Sequence, residues 1–192
     1  WEIALNTYKP FACGIVIHPI IDACVQLRNE HGLKPGDIEA IEAKVHPLVL
    51  ELTGKKTPQS GLEGKFSVYH SAAVAIIYGA GGEAEYGDGV VRDPQVIALR
   101  DRVTAVLDKS MHEDQTRIAI RLKNGRTVEK FIEHAIGSLT RPMSDADLES
   151  KFRALATPIL PGAQCDRLLR LCWELGKLDD VGEIARASVP GR

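Results

Sequence analysis

No run of apolar residues in the 192-residue chain approaches the ~18 that a membrane-spanning helix needs. The amino terminus lacks the basic start and apolar core of a secretory signal. It opens on Trp1 rather than methionine, inside a strand-like segment. We therefore expect a fragment or processed product of a cytoplasmic protein. Cysteine is sparse and scattered: Cys13, Cys24, Cys165 and Cys172 form no CxxC pair. That speaks against structural zinc, which needs closely spaced ligand pairs, and against a secreted disulfide scaffold. Reduced thiols follow. Neither HExxH nor a Cys/His cluster is present, so no metal site is expected. A basic excess is missing too. The 24 Lys and Arg face 26 Asp and Glu for a net charge of −2, without the positive bias of a general nucleic-acid binder. There is no internal repeat and no low-complexity tract. The glycine-rich stretch at 79–89, GAGGEAEYGDG, has neither GxGxxG nor Walker spacing. It reads as a mobile connection rather than a phosphate cradle.

What is present is ordinary for a folded protein. Apolar residues make up 44% and charged residues 26%, which excludes disorder. The length suits one domain, or one domain with an appendage, since domains run ~100–200 residues. Such a chain buries a real core without metals or disulfides. Residues 2–7 alternate weakly through Ile3, Leu5 and Thr7, as a strand would. Residues 18–32 follow with Pro19 in a first-turn position and Ile20, Cys24 and Leu27 at helical spacing. From Asp37, Ile41, Ala43 and Val45 alternate with Glu42 and Lys44, the signature of a half-buried strand. Residues 53–64 read as a loop, and 94–103 as a short helix. Residues 66–79, FSVYHSAAVAIIYG, are apolar nearly all round and predict a buried helix.

Residues 115–122 and 127–133 flank Asn124-Gly125, the clearest hairpin signal in the chain. A two-residue type I′ loop pairs Leu122 with Thr127 and Ile118 with Phe131, which places Phe131 on the apolar face. The remainder is helical. Ser144 caps a helix whose stripe is Leu148, Phe152, Leu155 and Ile159. A second carries Leu168, Cys172 and Leu175, and residues 180–188 form a third. Strands and helices are segregated, so the class is α+β: an antiparallel sheet with helices packed on one face, followed by C-terminal helices. The expected division is 1–137 and 138–192.

One feature of the buried helix carries chemistry. Ser67, His70 and Ser71 fall at i, i+3 and i+4 and make a single polar stripe. Burying three polar groups is costly unless they find partners or line a cavity. His70 is then either a proton carrier or a core histidine bonded to a backbone carbonyl.

Three blocks in order carry a resemblance: YKPFACGIVIHPIIDA (8–23), GKFSVYHSAAVAIIYG (64–79) and RPMSDADLESKFRALA (141–156). They resemble the second half of the MmgE/PrpD family, which includes 2-methylcitrate dehydratase, cis-aconitate decarboxylase and iminodisuccinate epimerase. The resemblance implies a small α+β domain, followed by helices that rejoin a larger helical domain, which this chain lacks. It implies an active site in the cleft between the two and no cofactor. The implied substrate is a small di- or tricarboxylate that loses a proton next to a carboxylate, leading to dehydration, decarboxylation or epimerisation.

Lys9 matches a family lysine suited to hold a carboxylate, and with His70 makes the candidate catalytic pair. His70 stands where some relatives carry an active-site tyrosine. Gly14 stands where some carry a catalytic histidine, a departure that speaks against decarboxylation. Cys13, Gly14, His18, Lys65, Ser67 and Tyr69 are the candidate substrate-binding residues. His18 is also suited to capping the first helix and bonding Asp22. A homodimer is expected, and the isolated chain should be inactive. The competing reading is a noncatalytic α+β module for dimerisation or small-acid binding.

Overall fold

Alternation and a bulge shape the sheet of this computed structural model, which describes residues 1–191. Strand β1 (Ile38–Val45) turns Ile41, Ala43 and Val45 inward and Glu42 outward. A register shift at Glu39 lets Ile38 face inward as well, although it lies three residues from Ile41. Strands β2 (Val103–Leu107), β3 (Thr116–Leu122) and β4 (Thr127–Ile132) complete a sheet of order β2-β1-β3-β4. Its buried face carries Ile41, Ile118, Ile120, Val103 and Val128. Each wholly buried isoleucine contributes roughly 1.5–3 kcal/mol relative to exposure.

The sheet is mixed, which corrects the antiparallel expectation. β1 pairs antiparallel with β3, and β3 with β4, but β2 runs parallel to β1 with Ile41 opposite Val103. The five residues VTAVL are too few for periodicity to separate a strand from a helix end. The segment near Leu5 is not in the sheet. Glu2–Leu5 is a single 3₁₀ turn with Ile3 and Leu5 exposed, and β2 takes the place beside β1.

The hairpin lies where Asn-Gly predicts it, but one register away. Arg121 opposes Thr127 and Ile118 opposes Lys130. Within the turn only Gly125 has positive φ, at 85°, whereas a type I′ turn needs two such residues. Leu122 N–H bonds to Arg126 O at 2.8 Å, closing a three-residue loop. One residue of slip turns every side chain of the second strand over. Val128 and Ile132 are therefore buried, while Phe131 is exposed and stacks with the Arg117 guanidinium at 5.2 Å.

The chain passes from β1 to β2 through α2 (Pro47–Thr53), α3 (Gly61–Gly64), α4 (Val68–Tyr78), α5 (Asp88–Val91) and α6 (Pro94–Arg100). Helix α1 (His18–His31) packs on β3 and β4, and α4 packs on α1 and β2. α4 is buried nearly all round, as its composition demands, and ends at left-handed Gly79. Residues 53–64 hold α3 as well as a loop, and Ser60 caps it.

Two compact units divide the chain, Trp1–Met143 and one that begins at Ser144. In the second, α7 (Asp145–Ala156) opens with a capping box between Ser144 and Asp147. With α8 (Gly162–Trp173) and α9 (Gly182–Ala187) it surrounds a small core of Leu160, Cys165, Leu168 and Ala187. Leu155, Ile159, Cys172 and Leu175 remain exposed. No helix among the described residues is long and apolar enough to cross a membrane.

Candidate functional site

Lys9 belongs to no helix or strand. The loop that follows it is pinned at two points: Ala12 N–H bonds Gly81 O at 2.9 Å, and Gly14 N–H bonds Lys65 O at 3.1 Å. The Lys9 ammonium reaches back to Cys13 O at 3.3 Å. Lys9, Cys13, Gly14 and Lys65 thereby meet around one depression of about 320 Å³, lined also by apolar Phe11, Leu62 and Phe66. Gly14 lies close against α2. A side chain there would bring its Cβ to 3.1 Å from the Thr53 methyl.

One of the two lysines at the depression is paired with an acid. The Lys65 ammonium is held by both Glu83 oxygens, at 2.7 and 2.8 Å. Burial pushes the Cys13 thiol up to about 11, although a bond with the Tyr86 hydroxyl and the charges of Lys9 and Lys65 pull it down. It stays protonated near neutrality and is no nucleophile. Behind it the Tyr86 hydroxyl meets Ser71 Oγ at 2.8 Å, and burial raises that phenol well above its ordinary range.

His70 lies outside this depression. It is wholly buried, and its Nε2–H donates to Glu85 O at 3.0 Å, which fixes the tautomer. Its Nδ1 has no hydrogen-bond partner among the described residues. Burial lowers its pKa, the Glu85 carbonyl opposes this, and the Arg100 charge adds to it. The ring tilts against Tyr86 with centroids 5.5 Å apart. Ser67 is the N-cap of α4, its Oγ accepting from His70 N–H at 3.1 Å. Tyr69 is half-buried under Lys56, whose ammonium lies 5.9 Å from the ring centroid.

His18 occupies a different place. It is the first residue of α1, after Ile17 at the cap position, so it does not cap the helix. Its ring stands edge-on to Phe11 at 5.3 Å. With Lys9 it lines a second depression, about 370 Å³, walled by residues 134–140. Lys9 is common to both depressions. Asp22 accepts from Gln26, Ile136 N–H and Arg141.

Sequence reasoning passed over Glu83 and Tyr86. Both lie in the glycine-rich stretch read as a mobile connection. That stretch is instead tied to the site through Gly81, Glu83, Glu85 and buried Tyr86. The one available signal was an aromatic residue between glycines, too large to be left in water without cause.

Residues 11–175 match the family profile described as MmgE/PrpD C-terminal domain. The chain belongs to the MmgE/PrpD family. This MmgE/PrpD domain is similar to the cis-aconitate decarboxylase of Mus musculus, at 25% identity over 93% of the chain and 38% of the relative. It is similar to the 2-methylcitrate dehydratase of Cupriavidus necator, at 24% identity over 83% and 36%. A third relative is the 2-methylcitrate dehydratase of Escherichia coli K12, at 23% identity over 78% and 34%. The chain spans little more than a third of the length of these curated relatives. What this MmgE/PrpD domain brings together is two lysines, one of them paired with Glu83, at a depression with apolar lining, beside a protonated thiol. Such an arrangement can hold anions and withdraw charge from them.

Proposed function

We propose that this MmgE/PrpD domain is the carboxylate-holding half of an enzyme acting on a small di- or tricarboxylate. The observation that carries this reading is the meeting of Lys9 and Lys65 at one depression with apolar walls. Removing a proton next to a carboxylate builds negative charge on that carboxylate. Cations placed beside that carboxylate stabilise the developing charge. The names of the relatives support the substrate class, since cis-aconitate and 2-methylcitrate are both polycarboxylates. Dehydration, decarboxylation and epimerisation all share the step.

In this reading the base lies on a helical domain across the cleft. Cys13 is protonated, and His70 is wholly buried outside the depression, so its Nδ1 lone pair does not face a substrate there. Lys9 and Lys65 bind the substrate, Cys13 and Gly14 shape the wall, and Ser67 and His70 brace α4 behind it. His18 faces the second depression beside Lys9, and Tyr69, under Lys56, lines neither depression. The helices beyond Ser144 rejoin the helical domain, and the assembled enzyme is a homodimer.

Glu83 gives the reading a directional test. Its carboxylate occupies the Lys65 ammonium that a substrate carboxylate needs. Glu83→Gln should tighten 2-methylcitrate binding by about two- to fivefold, the worth of a partly exposed ion pair. Unchanged or weaker binding contradicts a role for Lys65 in holding substrate.

Turnover is the broader test. The 192-residue chain alone should not process 2-methylcitrate, cis-aconitate or iminodisuccinate, because groups that act together must be positioned together. Joined to a helical half it should process at least one. If the joined protein neither binds nor turns over any of the three, the noncatalytic module is the better reading.

A further inference from the structure

Lys9 stands between two 3₁₀ turns, Glu2–Leu5 and Ile15–Ile17, so no repeating backbone ladder fixes it. What the chain on either side of it rests on is Gly137. That residue has φ of +88°, and a Cβ there would lie 2.5 Å from Tyr8 O and 2.6 Å from Pro10 Cδ. Only glycine permits so close an approach in that conformation.

Gly137 is in turn held by a buried acid. Asp22, 6% exposed on α1, accepts from Ile136 N–H at 3.0 Å and from Arg141 Nη1 at 2.8 Å through one oxygen. The same Nη1 donates to His134 O at 2.8 Å, and Arg141 O accepts from Gly137 N–H at 2.7 Å. Gln26 occupies the other oxygen of Asp22 at 2.7 Å. The loop at 134–141 is therefore closed on itself by Arg141 and anchored to α1 by Asp22. A buried carboxylate that loses its cation is strongly destabilised, so this anchor has a single favourable arrangement.

We propose that Asp22, Arg141 and Gly137 are positioning residues for Lys9. Asp22 and Arg141 hold the 134–141 loop, and Gly137 in that loop seats the backbone on both sides of the lysine. The inference deepens the carboxylate-holding reading and rests on it for its functional consequence. Its structural content stands apart from any ligand.

The test uses the 192-residue chain, with ¹⁵N relaxation of the Tyr8 and Lys9 amides and titration with cis-aconitate. In the unaltered chain both amides should be as ordered as the sheet, with order parameters near ~0.85. In Arg141→Gln and in Gly137→Ala they should fall below ~0.6 while Ile41 and Ile120 stay fixed. Cis-aconitate should bind about three- to tenfold more weakly in both, since a cation displaced by an ångström serves poorly. Arg141→Lys, which keeps a cation for Asp22, should restore most of the order and the affinity.

The inference is overturned if Tyr8 and Lys9 are already mobile in the unaltered chain. It is equally overturned if Arg141→Gln loosens residues 135–140 but leaves Tyr8 and Lys9 ordered. If Gly137→Ala fails to fold, the Arg141→Gln and Arg141→Lys pair decides alone. A cis-aconitate titration indifferent to Lys9→Ala sinks the carboxylate reading instead, while the relaxation data still decide the positioning.

Discussion

On the proposed carboxylate-holding function, replacing Lys9 by alanine in the protein joined to its helical half should lower kcat/KM for a polycarboxylate substrate by roughly 10- to 150-fold. That range corresponds to the ~1.5–3 kcal/mol of a hydrogen bond to a charged group. Lys9 is an exposed loop residue, so its loss should leave the melting temperature nearly unchanged. The division between the two constants is informative. A lysine that only binds raises KM, whereas one that also stabilises the developing charge lowers kcat as well. Lys9→Arg should recover part of the loss, because the charge remains but its geometry changes from a point to a planar fork. Steady-state kinetics beside thermal melts of the same variants check each of these points.

His70 should make the fold sensitive to mild acid. Its pKa lies below the ordinary 6.5, chiefly because burial withholds the proton. As pH falls below 6.5, the unfolded chain takes up a proton that the folded chain refuses. Stability therefore drops as pH falls toward the lowered folded value, by at most about 1.4 kcal/mol per unit, and then levels off. The Arg100 guanidinium pushes the same way, and the Tyr86 phenol stays neutral throughout. Carboxylates with depressed values, such as Glu63 and Asp147, start from 4.5 and 3.8 and lose their contribution in a lower window. Melting curves from pH 5.5 to 7 should show the acid slope in the unaltered chain and lose most of it in His70→Gln. Glutamine keeps a donor for the Glu85 carbonyl and cannot charge. Were His70 also a proton carrier in turnover, the same variant would in addition lose one limb of the pH–rate profile.

Local patterns in the sequence reveal the elements they govern and little else. α1 and α4 were legible because Pro19, the Ile20–Leu27 spacing and the apolar run at 66–79 are local signals. The hairpin was legible in place but not in register, since Asn-Gly serves both a two-residue loop and a three-residue loop with one left-handed glycine. β2 was missed because its identity depends on parallel pairing with a strand some sixty residues earlier. The candidate site divides the same way. Lys9, Cys13, Gly14 and Lys65 were legible from blocks shared with a family, and the fold does bring them to one depression. Glu83 and Tyr86 were not, because glycine-rich sequence carries no period. The Asp22–Arg141 pair joins residues 119 apart, and no local rule reports such a pairing.

The most direct measurement is an amide-resolved titration of the 192-residue chain with 2-methylcitrate. We expect saturable shifts confined to Lys9, the Phe11–Gly14 loop and Lys65, abolished in the Lys9→Ala, Lys65→Ala double variant. Shifts that survive the double variant, or that cluster elsewhere on the domain, would contradict the assignment of this depression as the carboxylate-holding site.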